Sequence, residues 1–149
     1  MGRIAKTLAA LSEEQISNLS SVKGHISEDL PPVSAKRIRT EIRSRRLREH
    51  FFAAELFADP AWDMLLDLAA SRLEGRQVAV SSLCIAAAVP ATTALRWIKT
   101  LTDEGLFVRV ADSHDGRRVF IELSEPAAAG MIAYFQAVQR SNGNGTRSA

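Results

Sequence analysis

"VSSLCIAAAVPATTALRWIKTLTDEGLF", residues 80–107, holds two short segments of helical character joined at Val89-Pro90 and stopped at Gly105. Proline cannot continue a helix and glycine accepts the backbone conformation that ends one, so both boundaries are written in the chain. The first segment, "SLCIAAA" with Ser81 as its expected cap, is too short to persist alone. The second runs from about Pro90 to Glu104. So tight a connection holds the second helix steeply against the first and leaves one of its sides open. Ala94, Ile98 and Leu101 recur at helical spacing as its buried stripe, which leaves Thr92, Arg96, Lys99 and Thr100 on the open side.

Outward from this pair, "DPAWDMLLDLAASRLEG" (59–75) has the clearest periodicity in the chain. Trp62, Leu65, Leu66, Ala69, Ala70 and Leu73 recur at helical intervals, Asp59 caps, Pro60 takes the first turn and Gly75 ends it. Alternation at "RQVAV" (76–80) predicts a brief strand. Alternating "FVRV" and "VFIEL", on either side of Asp112, Ser113, His114, Asp115 and Gly116, predict a two-stranded hairpin over 106–124. A last helix, "EPAAAGMIAYFQAV", follows Ser124. Upstream, residues 35–57 read as one helix, basic in its first half and aromatic in its second, with Ile38, Ile42, Leu47, Phe51, Phe52 and Leu56 on its apolar side.

The chain therefore divides into a flexible tail at 1–34, in which Ser12 to Gln15 have capping-box spacing for a short helix, a domain at 35–140, and a disordered tail at 141–149. The fold class expected is mainly α with a small β-wing, a winged helix-turn-helix flanked by N- and C-terminal helices.

A chain of 149 residues with 46% hydrophobic content suits one domain with a single core. No apolar run reaches the roughly 18 residues of a membrane span. The one cysteine, Cys84, has no partner for a disulfide, and its place in "LCIAAA" favours a small packed side chain over a redox sensor. His25, His50 and His114 lack metal-ligand spacing, so neither a metal nor a cofactor is expected. Asp112 and Asp115 read as a salt-bridged turn rather than as metal ligands. A cytoplasmic, nucleoid-associated setting with no membrane partner is the expectation. No nucleophile-base pair or phosphate-cradling loop is visible, which disfavours an enzyme.

The net charge is only +2, but its distribution is uneven. Lys36, Arg37, Arg39, Arg43, Arg45, Arg46 and Arg48 face a single acid, Glu41, within 36–48; the stretch from Glu49 to Glu74 is acidic. A basic run of this kind is a footprint of a polyanion-facing surface, with a solvated helix face as the alternative. On that reading Arg43, Arg45 and Arg46 touch phosphate. Arg96 is the leading base reader, because an arginine on a presented helix can bond guanine bidentately; its alternative is an ion pair with Asp103 or Glu104. Thr92 and Thr93 suit phosphate or a thymine methyl, and Lys99 suits phosphate. Trp97 is read as partly buried core. Arg117 and Arg118 follow the hairpin turn and suit the minor groove or the backbone.

Residues 61–125 resemble the winged-helix regulators of the multiple-antibiotic-resistance-regulator (MarR) type, through "AWDMLLDLA", "VSSLCIAAAV", "TTALRWIKTLTDEGLFVR" and "DGRRVFIELSE". That family's wing motif, D-x-R followed by L-[TS]-E, falls on Asp115, Arg117, Leu123, Ser124 and Glu125, so its wing arginine corresponds to Arg117. Its recognition-helix T-x-x-R spacing falls on Thr93 and Arg96. The family usually carries two C-terminal helices that build a dimer interface and frame a ligand pocket, whereas this chain offers about one, and no effector follows from its sequence. The resemblance implies a sequence-specific, double-stranded DNA-binding transcriptional regulator; a winged-helix module for protein-protein contact is the alternative. A homodimer is expected, through Leu47, Phe51, Phe52 and Leu56 together with Met131, Ile132, Tyr134 and Phe135.

Overall fold

Ser34 opens the first helix: its hydroxyl accepts the backbone N–H of Arg37 at 3.2 Å, and α1 runs Ala35–Leu47. A computed structural model of the chain describes residues 32–147. The capping box at Ser12 to Gln15, and the tail expected there up to position 31, lie outside the described residues. Ser34–Ser124 form one compact unit, and the chain from Glu125 onward belongs to a second.

The helix expected over 35–57 stops at Leu47; beyond it Arg48–His50 and Ala54–Phe57 are single 3-10 turns. The reason is that a helix in a protein is held chiefly by the face it buries, and here Phe51, Phe52 and Leu56 are all exposed. Phe52 meets Phe57 edge to face instead, with ring centroids 5.6 Å apart.

α2 (Pro60–Leu73) begins as expected, with Asp59 accepting the Trp62 N–H at 3.3 Å and proline in the first turn. It is the central helix of its unit and packs against α1 and the later elements, so burial spreads around it. Met64, Leu66, Leu68, Ala69 and Ala70 are buried, and so are Asp63 and Ser71. The simple stripe is thus corrected: Trp62 and Leu65 are half-buried and Leu73 is exposed. Gly75, at φ +69°, ends α2 in a Schellman turn, with Arg76 N–H bonding Ser71 O and Gly75 N–H bonding Arg72 O.

A short strand, β1 (Val78–Ala79), runs straight into α3 (Val80–Ala86). Ala79 sits at the N-cap with no side-chain bond, so Ser81 lies inside the first turn and does not cap. The chain then passes through Ala88, whose φ of +57° is the left-handed conformation usual for glycine, and turns by 108° into α4 (Ala91–Asp103). Ala94, Ile98 and Leu101 are its buried stripe, as expected. Gly105, at φ +81°, repeats the Schellman stop: Leu106 N–H bonds Leu101 O at 2.9 Å.

β2 (Phe107–Ala111) and β3 (Val119–Leu123) form the hairpin, pairing from Phe107↔Leu123 to Ala111↔Val119. β1 adds to the other side of β3, giving an antiparallel sheet in the order β1-β3-β2. Phe107, Ile121 and Leu123 point inward and join Ile38, Met64, Leu66, Leu83 and Ile98 in the core. The architecture is a winged helix-turn-helix, mainly α with a small β-sheet.

In the second unit, α5 spans Glu125–Arg147 and so runs on through most of the 141–149 segment that composition marked as a tail. Ala127, Ala128, Met131 and Phe135 on it are buried, and Tyr134 is exposed.

Candidate nucleic-acid interface

On α4 the sequence alternates between what the core needs and what it does not. With Ala94, Ile98 and Leu101 turned inward, Thr92, Arg96, Lys99 and Thr100 are exposed on the opposite side, and Thr93 is half-buried at its edge. The alternative reading of Arg96, an ion pair with Asp103 or Glu104, does not occur. Asp103 pairs with Lys99 at 2.8 Å, and the Arg96 side chain makes no hydrogen bond or ion pair among the described residues. The Lys99–Asp103 pair is open to solvent on both sides, the kind that contributes little and releases readily. Thr100 turns its hydroxyl back to Arg96 O at 3.0 Å and is satisfied locally. Trp97, read as partly buried core, is 38% exposed.

The hairpin tip is built by its two aspartates. Asp112 accepts the His114 N–H at 2.8 Å and Asp115 accepts the Arg117 N–H at 3.1 Å, so each closes a local turn. That fixed turn lifts Arg117 clear of the body: its side chain is 95% exposed, with only a 3.6 Å approach of its Nε to Asp115. Arg118 lies differently, its guanidinium 5.2 Å from the centroid of the Phe120 ring. A cation stacked this way is held in place while still open to solvent.

Much of the basic run on α1 is paired within the fold. Arg45 donates its Nε to Asp63 at 2.6 Å, and Arg46 reaches the other oxygen of the same carboxylate at 2.8 Å and Glu49 at 2.8 Å. Arg39 spans Asp67 at 2.7 Å, Ser71 at 3.1 Å and Glu74 at 2.8 Å. The basic helix and the acidic helix therefore neutralise each other where they pack. Asp63 is only 4% exposed and Arg45 11%, so this pair is buried and depends on its geometry. The hydrogen bond from Arg39 holds the Glu74 carboxyl below the usual glutamate range. Of the three α1 arginines expected at phosphate, Arg43 alone is left exposed, bonded only to Thr40 one turn back at 3.1 Å.

The apolar residues expected at a dimer interface separate in the same way. Leu47, Phe51, Phe52 and Leu56 are exposed, while Met131 and Phe135 are already buried within the chain and Ile132 is half-buried. Cys84 is partly exposed rather than packed away, and burial on its inner side pushes the thiol up, away from the reactive thiolate. Two exposed apolar residues, Ile85 on α3 and Leu95 on α4, escaped the periodicity because each sits singly among polar or small neighbours. Among the described residues no group of His, Cys, Asp or Glu could hold a metal ion, and no single helix is long and apolar enough to cross a membrane.

Residues 67–127 match a family model described as a winged helix DNA-binding domain. Among solved structures, the chain is similar to a mutant of S. aureus MepR bound to an oligodeoxyribonucleotide, at 15% identity, covering 76% of each chain with a TM-score of 0.51. It is also similar to S. aureus MepR bound to ethidium bromide (16% identity, 76% of this chain and 77% of that one, TM-score 0.49). A third is NadR in complex with 4-hydroxyphenylacetate (20% identity, 76% and 74%, TM-score 0.45). No curated protein matches the chain. The matched segment runs from the middle of α2 to the first turn of α5 and so contains α3, α4 and the whole hairpin. Residues 67–127 are thus similar to winged helix DNA-binding domains, and the fold of the chain is similar to that of MepR.

Proposed function

We propose that the protein is a sequence-specific, double-stranded DNA-binding transcriptional regulator that acts as a homodimer. Thr92, Thr93, Arg96 and Lys99 enter the major groove, with Arg96 reading guanine and Lys99 exchanging Asp103 for a phosphate. Arg117 reaches the minor groove or its phosphates, and Arg118 lies along the backbone beside it. Arg43 adds a phosphate contact from α1, while Arg45 and Arg46 stay with Asp63. The observation that carries this reading is the unpartnered Arg96 on the open side of α4, between residues that the fold does not use.

One winged helix presents too few base contacts to pick a site from a genome, and two-fold pairing doubles them. Exposed Leu47, Phe51, Phe52 and Leu56 support pairing through the end of α1 and the segment after it. Such a dimer places its recognition helices about 34 Å apart, one turn of duplex.

Selection of bound sequences from random duplex DNA tests the reading, and a roughly palindromic consensus is the expected result. The rival reading, a module for protein contact, draws on exposed Ile85, Leu95 and Trp97. Salt separates the two: DNA binding weakens steeply as ionic strength rises, and an apolar protein contact does not.

A further inference from the structure

Beside the polar residues of α4 lies an apolar strip for which the fold has no use. Leu95 is 48% exposed and Ile85, on α3, is 81% exposed. Between them Cys84, Ala88, Pro90 and Ala91 line an open, mostly apolar groove of about 750 Å³. Leu95 follows Thr92 by three residues and precedes Lys99 by four, so it neighbours both on the helix surface and borders Arg96 in the chain. Standing in water, an exposed leucine gains nothing from hydration, so the strip becomes favourable only when something apolar covers it.

Two kinds of partner could do so. A protein segment laid along the strip would also cover the Arg96 guanidinium, which meets no acid among the described residues, and would have to bring a carboxylate placed to pair with it, because burying an unpaired charge is costly. A DNA duplex meets both needs at once. Guanine O6 and N7 accept from an arginine, and the C5-methyl of thymine is the apolar group that a base pair shows in the major groove.

We propose that Leu95, across the groove from Ile85 of α3, is a specificity-determining residue that contacts a thymine methyl next to the base read by Arg96. This rests on the DNA-binding reading above and adds to it an apolar half of the recognition surface.

Replacing thymine by uracil removes that methyl and nothing else, which makes the contact testable atom by atom. Sequences are first selected from random duplexes with the wild-type protein. Each thymine of the preferred duplex is then changed to uracil in turn, and affinities are measured by fluorescence anisotropy. At one or more positions the wild type should bind the uracil duplex about fourfold more weakly, the factor that ~0.8 kcal/mol for one buried methyl group corresponds to. Leu95→Ala should bind the two duplexes equally and keep its preference for guanine; Arg96→Ala should lose guanine preference and still favour thymine over uracil. Leu95→Met, which keeps an apolar side chain of similar reach, should retain the discrimination. If the wild type selects a sequence yet binds every uracil duplex as well as its thymine parent, the Leu95 assignment is overturned and the DNA-binding reading stands. If no duplex is bound in a salt-dependent way, both fall.

Discussion

Arg45 and Arg117 carry the same charged group and end in opposite situations. Arg45 sits in the densest cationic stretch of the chain, yet its guanidinium is buried against Asp63; Arg117 belongs to a mere pair of arginines in a hairpin, and nearly all of it stands in water. Charge counted along the sequence therefore measures the wrong quantity. What is offered to a partner is the cation left over after the fold has paired its own acids. By that measure α1 presents Arg43 far more than Arg45 or Arg46, while α4 and the wing present Arg96 and Arg117.

The largest effect should come from breaking the buried pairing. Asp63→Ala leaves Arg45 buried with no carboxylate and takes one of two acids from Arg46, and should cost about 3–5 kcal/mol of stability. Urea unfolding followed by circular dichroism measures it. A loss below about 1 kcal/mol, the range of a solvent-exposed pair, would mean that Arg45 is not committed to the fold.

Arg96→Ala should do the reverse. Folding stability should stay within about 0.5 kcal/mol, because the side chain is exposed and unpaired. Binding to the preferred duplex should weaken by about 1–3 kcal/mol, with relaxed preference at one base pair. A variant that keeps its full sequence preference would move the reading residue elsewhere on α4.

The smallest effect belongs to the rim of the helix pairing. Glu74 is held below the usual glutamate range by Arg39, so its contribution is complete above about pH 4.3 and is lost as pH falls through its lowered value. Glu74→Gln should therefore be slightly less stable than the wild type at neutral pH, and the gap should close in acid. A gap that widens on acidification would reverse the sign of this linkage.

Much of the recognition unit was legible because its signals are local. Gly75 and Gly105 ended helices where a left-handed residue was needed, Pro90 opened α4, and the alternation around Asp112 to Gly116 predicted the hairpin that the structure contains. What was not legible depended mostly on residues far apart in the chain. Asp63 lay in a stretch legible only as acidic, and it is buried because Arg45 and Arg46, 18 and 17 residues earlier on another helix, bond its carboxylate. Phe51, Phe52 and Leu56 looked like the continuation of α1, but no element of their unit offered them a surface to cover. Ser81 had the chemistry of a cap and was displaced because β1 runs directly into α3.

The salt dependence of DNA affinity tests most directly whether the free cations, rather than the numerous ones, meet the duplex. For each phosphate that a variant no longer neutralises, the slope of log K against log salt should fall by roughly 0.9. Arg117→Gln combined with Lys99→Gln removes one cation that stands almost wholly in water and one whose solvent-open pair with Asp103 releases readily, and should lower the slope by about 1.8 while leaving the fold intact. Arg46→Gln leaves Asp63 still bonded to Arg45, so the variant should fold, and its slope should equal that of the wild type. If instead the slope falls with Arg46→Gln and holds with the Lys99 and Arg117 pair, the DNA-facing surface is the basic helix, and the free cations of α4 and the wing do not meet the duplex.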